Sequence, residues 1–486
     1  MRAAMPRRLR AALALAALPC LLAGCPGRTP RGSVLLITVD TLRADHLGCY
    51  GYARPTSPNM DRLAADGVLF ERVYASVPRT TQSIASILTG RYPNGHGARG
   101  LISSLSDTNL TLAEILSREG YATAAFVSNM FLSPGQGFGQ GFDIYDNPIG
   151  RWEGNSASRI TLEALEWLGR LDPKAPFFLW VHYLDPHWTY DPSPPFDSAF
   201  DVGRGEPLTL YEDVRAGRLS RGQVIFENRL SRRQVARVVA LYDGEIAQVD
   251  AALAPLIERT RGRDPPVLIV LTSDHGESLG EHDYYFAHGE YLYQPGLHIP
   301  LIITYPGRVP AGLRSAALAQ NVDIAPTVLS LLGIDALHAA DGRPLLVRER
   351  RSRPTGGAPA EAAPRFVPSP GRSIVFAESD FQLIHPENKR YHVPGPRGRW
   401  SSASDGRYKL IHIPTRPGEL LELYDLRDDP AESIDLQGRL EAREVRSRLL
   451  RELKRFVDYD PGIGIREPGS MAADELDRLR SLGYLN

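Results

Sequence analysis

Three apolar runs constrain the fold of this chain more than any other feature. Residues 33–39 (Ser-Val-Leu-Leu-Ile-Thr-Val), 177–181 (Phe-Phe-Leu-Trp-Val) and 267–273 (Val-Leu-Ile-Val-Leu-Thr-Ser) read as buried strands. Helical patterns stand between them: 61–67 ending at its glycine, 111–119 stopped by Gly120, 157–171 with Ile160, Leu162, Leu165, Trp167 and Leu168 toward the core, and 231–260. Residues 121–127 add a further strand. Helix alternating with strand predicts an α/β fold on a large, mostly parallel sheet covered by helices, and the length admits one such domain with an appendage.

Chemistry gathers where these runs end. The first delivers Asp40, the last Asp274-His275-Gly276-Glu277, and the middle one His182, Asp185 and His187. In open α/β sheets, ligands sit at the carboxyl ends of strands. A fourth stretch, residues 77–90, places Thr80 and Thr81 before small and apolar residues spaced for a tightly packed helix closed by Gly90. A threonine there suits an N-cap; it equally suits oxyanion chemistry, because unpaired N–H groups and the helix dipole converge on that position. Asp40, Asp274 and His275 with the oxygen of Thr80 would make one divalent metal site that holds and deprotonates the hydroxyl.

Five motifs then carry a family resemblance. Asp40-Thr-Leu-Arg-Ala-Asp45-His-Leu-Gly-Cys-Tyr-Gly51, Ser57-Pro-Asn-Met-Asp61, Leu88-Thr-Gly-Arg-Tyr-Pro93 with His96-Gly97, Ser273-Asp-His-Gly-Glu277 and Leu279-Gly-Glu-His282 resemble the sulfatase family of the alkaline phosphatase superfamily, in the family's order. The resemblance runs from about Ser33 to the C-terminus. It implies an alkaline-phosphatase-like fold with helices on both faces of the central sheet, and a small C-terminal antiparallel sheet and helix in residues 373–486. It also implies substrate contact by the histidine of the Pro-His element, His187, and a general-acid position at His288, where imidazole can serve. His182 is open between a core and a substrate-binding role, and His282 and His298 are further substrate-contact candidates.

One departure bears on mechanism. Sulfatases begin a C/S-x-P-x-R element ten residues before the Gly of Leu-Thr-Gly and oxidise its first residue to formylglycine. Here that position is Thr80, with Gln82 and Ile84 where Pro and Arg belong, and Ser76-Val-Pro-Arg79 reads as a decoy out of register. Thr80 therefore resembles the branch in which threonine is the direct nucleophile. Thr41 stands where sulfatases have a second Asp, which weakens the case for a Ca²⁺ cage. An Asp/His set suits Mn²⁺ or Zn²⁺ better than Ca²⁺ or Mg²⁺.

Outside the main domain, residues 1–24 read as a lipoprotein signal peptide: Arg2, Arg7, Arg8 and Arg10, then an apolar run too short to span a bilayer, then Leu22-Ala-Gly-Cys25, similar to a bacterial lipobox. Cys25 would carry lipid and tether the protein to a membrane of the bacterial cell envelope. Cys49 alone would remain, so no disulfide forms within the mature chain. Residues 25–347 are the catalytic domain; within them, 191–230, rich in Pro, Gly and charge, read as a surface insertion over the site. Residues 348–372 read as a flexible linker or loop, and 475–484 as an amphipathic tail. With 56 basic and 57 acidic residues, no basic excess exists to meet nucleic acid. These residues and the resemblance together imply a metal-dependent hydrolase of sulfuric or phosphoric esters, phosphoryl esters favoured, acting on a small-molecule, glycan or lipid ester. Two other readings share the residues: an envelope phosphoglycerol- or phosphoethanolamine-type transferase, and a degenerate binding lipoprotein.

Overall fold

The computed structural model describes residues 32–458 except 149–155, 201–207, 228, 336–339, 350–363, 380–386, 389–392, 394–395 and 416. The signal segment, Cys25, the centre of the expected linker and the C-terminal tail lie outside the described residues. In chain order the first strands are β1 (Val34–Val39), β2 (Val68–Tyr74), β3 (Ala122–Val127), β4 (Ile144–Asp146), β5 (Phe177–Tyr183) and β6 (Leu268–Ser273). A short ribbon, β7 (Ser278–Leu279) with β8 (Tyr285–Ala287), precedes β9 (His298–Thr304) and β10 (Leu313–Gln320). Eight of them form one sheet in the order β10-β2-β9-β6-β1-β5-β3-β4, in which only β9 runs antiparallel to its neighbours. β1 is central, paired in parallel with β5 and β6, so that Val39 stands level with Tyr183 and Ser273. The register brings Asp40 and Asp274 out of the sheet side by side.

Both faces are covered. Val34 and Leu36 face a core built with helices Thr80–Thr89, Leu112–Arg118 and Ile324–Leu332. Leu35, Ile37 and Val39 face another, built with Pro58–Ala65, Ser156–Arg170 and Arg232–Thr260. All six residues of β1 are buried, and each aliphatic side chain so removed from water contributes about 1.5–3 kcal/mol. This is the α/β architecture expected, with helices on both faces.

Local chemistry sets the element ends. Thr111 and Glu114 form a capping box at helix Leu112–Arg118. Helix Pro58–Ala65 starts earlier than expected, at a proline whose fixed φ suits the first turn. It also ends before Gly67, which serves another purpose: a Cβ there would lie 2.3 Å from the Ile303 carbonyl oxygen of β9. Leu162 is 66 % exposed, against expectation, because the buried stripe of its helix runs through Ala157, Ile160, Ala164, Trp167 and Leu168 and leaves Leu162 on the far side. The insertion contains helices Leu210–Arg215 and Arg221–Phe226, the second capped by Ser220 and burying Val224, Ile225 and Phe226.

A four-stranded antiparallel sheet (Val375–Glu378, Ser401–Ser404, Tyr408–Pro414, Glu419–Asp425) follows, with helix Arg443–Val457 laid on it through Leu449 and Leu453. The ends of the expected linker belong to the fold. Leu346–Arg348 pairs with Phe366–Pro368, Phe366 is buried, and the Arg372 guanidinium is ion-paired to Asp323. A strand pairing, one buried aromatic ring and one buried charge pair order the ends of a stretch that composition alone marks as loop. The described residues fall within one compact unit, and among them no helix is long and apolar enough to cross a membrane.

Candidate active site

The turns after β1 and β6 bring Asp40, Asp274 and His275 together, each offering one ligand atom within 4.8 Å of the others, all fully buried. His275 Nε2 lies 3.7 Å from Asp40 Oδ1 and 3.4 Å from Asp274 Oδ2. Its Nδ1–H donates to the Gly276 carbonyl at 2.9 Å, which fixes the tautomer and leaves the Nε2 lone pair facing the carboxylates. Thr80 opens helix Thr80–Thr89 against this cluster, its Oγ1 3.3 Å from His275 Nε2 and 3.5 Å from Asp40 Oδ2.

The cluster is electrostatically incomplete. Asp40 Oδ1 and Asp274 Oδ2 are buried with no hydrogen-bond donor, and an unpartnered carboxylate oxygen in the interior costs about 1–3 kcal/mol or more. Burial raises the Asp40 carboxyl, but contact with His182 and the charges of His187 and His275 outweigh it and bring it down to about 2. Asp274, buried beside Asp40, is pushed up. Burial brings His275 down to about 4, so its imidazole is neutral at pH 7, as a metal ligand must be. Two orphaned carboxylate oxygens and a neutral imidazole converging with a hydroxyl fit a divalent cation. The Thr41 hydroxyl turns away and donates to the Pro186 carbonyl at 3.0 Å, leaving no ligand where a second Asp would stand.

The loop carrying Asp40 is held from outside the sheet. Thr41 has φ 53°, a left-handed conformation, and Tyr242 of the long helix fixes it by donating to the Thr41 carbonyl (2.8 Å) and accepting from Arg43 N–H (3.1 Å). The Asp274 side is held by its own turn: Oδ1 accepts from His275 N–H at 2.9 Å and Thr41 N–H at 3.3 Å.

The other expected histidines divide. His288 and His187 join the cluster, their rings 5.2 Å apart and that of His288 4.4 Å from His275. His288 Nδ1 lies 2.9 Å from Glu277 Oε1, whose other oxygen accepts from Tyr190; burial brings Glu277 up to about 8 and His288 down. His182 is wholly buried behind Asp40, Nδ1 2.8 Å from Thr38 Oγ1 and Nε2 3.5 Å from Asp40 Oδ2. His282 sits in the ribbon turn with φ 57°, stacked on Tyr293 at 3.6 Å, and His298 is bonded to the Glu71 carbonyl.

Three further residues converge on the cluster. Asn129, just past β3, donates to Asp40 Oδ2 at 2.7 Å. Its strand-end position is the signal that marks Asp40. Arg79, set aside above as part of a decoy, is buried, and its charge acts on His187, His275, His288 and Glu277. Arg221, from the insertion, lies over the Trp188 ring at 4.1 Å and acts on Glu277, His187 and His288. Nothing local in the sequence singles out an arginine on a helix of an insertion.

Comparison with known proteins gives a matching family. The sulfatase family model matches residues 33–334. An N-acetylglucosamine-6-O-sulfatase of Bacteroides thetaiotaomicron is 25% identical over 521 residues, covering 89% of this chain and 88% of that protein. Among solved structures, one holding its substrate D-glucosamine-2-N,6-O-disulfate superposes with a TM-score of 0.69 at 22% identity, covering 89% of this chain and 100% of that one. A phosphonate monoester hydrolase of Agrobacterium radiobacter superposes with a TM-score of 0.68 at 23% identity, covering 88% and 95%.

Proposed function

This chain belongs to the sulfatase family of ester hydrolases, and we propose that it is a metal-dependent member in which Thr80 itself is the nucleophile and phosphoryl esters are the better substrates. The observation that carries this is the Thr80 hydroxyl, at the N-terminus of a buried helix, 3.3 Å from His275 Nε2 and 3.5 Å from Asp40 Oδ2. Asp40, Asp274, His275 and Thr80 would hold the divalent ion, which supplies a lowered hydroxyl pKa and neutralises charge on the reacting group. The Thr80 hydroxyl gives its proton to solvent as Oγ1 bonds to phosphorus and the bond to the alcohol oxygen breaks, and the Glu277–His288 pair hands a proton to the leaving oxygen. Water then attacks the same phosphorus as its bond to Thr80 Oγ1 breaks; one water proton returns to the pair, and the other passes from the new P–OH to Oγ1 and restores the hydroxyl.

The preference follows from the nucleophile. Formylglycine carries a second hydroxyl on the carbon that bears the sulfate, so sulfate departs by carbon–oxygen cleavage. Threonine has no such hydroxyl, and water must attack sulfur directly. Attack on a threonine phosphoryl ester is the easier step, so phosphate diesters or phosphonate monoesters should exceed aryl sulfates by about 10²-fold, roughly 3 kcal/mol of barrier. Turnover of bis(p-nitrophenyl) phosphate, p-nitrophenyl phenylphosphonate and p-nitrophenyl sulfate by the holoenzyme, with mass spectrometry of the Thr80 peptide, measures it. Turnover of the sulfate alone by a protein with unmodified Thr80 would sink the reading. A sulfate ester of an amino sugar is the second reading, favoured by the activity named for the N-acetylglucosamine-6-O-sulfatase relative.

A lipid anchor at Cys25 belongs to the same proposal. A basic start, a short apolar run and Leu22-Ala-Gly-Cys25 support it. Acyl chains add about 0.8 kcal/mol per buried methylene, so Cys25→Ser should move the protein from the membrane to the soluble fraction. Unchanged membrane retention of Cys25→Ser would overturn the anchor.

A further inference from the structure

Helix Thr80–Thr89 starts without a side-chain cap: Arg79 stands at its N-cap and makes no capping bond. The position of the first turn is therefore left to other contacts. Ser83 lies one turn beyond Thr80, on the same side of the helix, and is fully buried. Its Oγ–H donates to the Asp274 carbonyl at 2.5 Å. That carbonyl belongs to the peptide unit joining Asp274 to His275, whose N–H donates to Asp274 Oδ1 at 2.9 Å. One hydroxyl thus ties the helix that presents Thr80 to the peptide unit between two of the candidate metal ligands.

A chain of donors sets the direction of that bond. A serine hydroxyl has one proton, and inside a helix it can turn back to a carbonyl one turn earlier. Asn321, fully buried just after β10, directs it outward instead. Ser76 N–H donates to Asn321 Oδ1 at 3.1 Å, which fixes the amide with Nδ2 toward Ser83, and Nδ2–H donates to Ser83 Oγ at 2.8 Å. The Ser83 proton is left for the Asp274 carbonyl. Ser76, Asn321, Ser83 and Asp274 are all out of water, so a bond lost from this chain leaves a buried donor or acceptor unpaired.

We propose that Ser83 is a positioning residue for the nucleophile, whose bond to the Asp274 carbonyl sets the distance of Thr80 Oγ1 from the Asp40–Asp274–His275 cluster. This rests on the nucleophile reading above. Thr80 Oγ1 stands 3.3 Å from His275 Nε2 and 3.5 Å from Asp40 Oδ2, and a displacement of about 1 Å at an attacking atom can cost about 10²-fold in rate. Metal binding depends less on Ser83, because Asp274 Oδ1 keeps its bonds from His275 N–H and Thr41 N–H.

The test uses the full chain loaded with Mn²⁺ and the p-nitrophenyl ester, of those named above, that it turns over fastest. Ser83→Ala should keep the wild-type Mn²⁺ content and a KM within about threefold, and lose about 10- to 100-fold in kcat, with single-turnover release of p-nitrophenol slowed alike. Ser83→Thr restores the hydroxyl and should recover most of that loss. A serine that served stability alone would lower the unfolding midpoint and leave kcat per folded molecule unchanged. If near-ultraviolet circular dichroism shows Ser83→Ala misfolded, Asn321→Leu takes its place: it removes the donor that directs the Ser83 proton, and should lose about 10-fold in kcat. A kcat within about twofold of wild type in the folded, Mn²⁺-replete variant would overturn the proposal. Thr80→Ala keeps the two readings apart. It should abolish turnover, and if it does so while the Ser83 variant is unimpaired, only the positioning role falls. Turnover surviving in Thr80→Ala would remove the nucleophile and the positioning role together.

Discussion

At the residue scale, what could be read from the sequence was what a strand end announces. Asp40, Asp274 and His275 stand where apolar runs stop, and the register of β1 with β6 brings them together. The same signal at the end of β3 would have given Asn129, whose amide donates to Asp40. Arg79 was illegible for a different reason. Its seat is a gap opposite a glycine more than two hundred positions away, which no local pattern encodes. His182 was legible only as undecided, since a buried histidine that braces a ligand and one that touches substrate look alike in sequence. Within the cluster the carboxylates depend on the cation most. Asp274→Ala removes one ligand and a charge, so the variant should lose most bound metal and nearly all turnover, as with other buried charge partners whose loss costs about 3–5 kcal/mol. Metal analysis of the purified variant checks this; full metal content would move the site elsewhere.

At the scale of elements, the strands with unbroken apolar runs and the long helix were plain, and the polar ones were not. Ser401–Ser404 is a strand of serines and one alanine, buried at every position and paired on both sides. Its stability comes from its neighbours, so propensity gives no sign of it. Phe366–Pro368 was hidden in a Pro- and Arg-rich stretch by the same dependence on a partner, Leu346–Arg348. Helix Arg232–Thr260 reaches the chemistry through the Tyr242 hydroxyl, which ties the Thr41 carbonyl and the Arg43 N–H of the loop that carries Asp40. Tyr242→Phe deletes only those two bonds and leaves two buried backbone groups unpaired, a cost of about 1–3 kcal/mol for each group left without a partner. The expected outcome is a lower unfolding midpoint together with weaker metal binding. A stability loss with wild-type metal affinity would show that the loop keeps Asp40 in place unaided.

At the scale of the whole molecule, the C-terminal sheet is tied to the catalytic half through Glu432, a carboxylate held by a buried ion pair within the C-terminal part. Lys409, on Tyr408–Pro414, lies 2.7 Å from Glu432, and both are almost wholly out of water. Burial lowers the lysine and raises the glutamate, while each partner's charge opposes the shift in the other. The second oxygen of Glu432 accepts from Gln294 N–H at 2.6 Å, and two residues on, the Gly296 carbonyl accepts from Gly276 N–H at 3.0 Å. Gly276 follows His275, so a continuous line of bonds runs from the small sheet to a ligand of the candidate metal centre. Removing one charge strands the other in the interior, whereas removing both replaces the pair by packing. Glu432→Gln should therefore destabilise the protein by about 3–5 kcal/mol and weaken metal binding, and Lys409→Met with Glu432→Leu should recover most of the stability. The reading predicts that the double variant regains stability without regaining metal affinity, because leucine leaves Gln294 N–H without its acceptor. Calorimetric unfolding and metal titration of the three variants measure both quantities, and an unchanged midpoint in Glu432→Gln would show that the small sheet is docked by its apolar contacts alone.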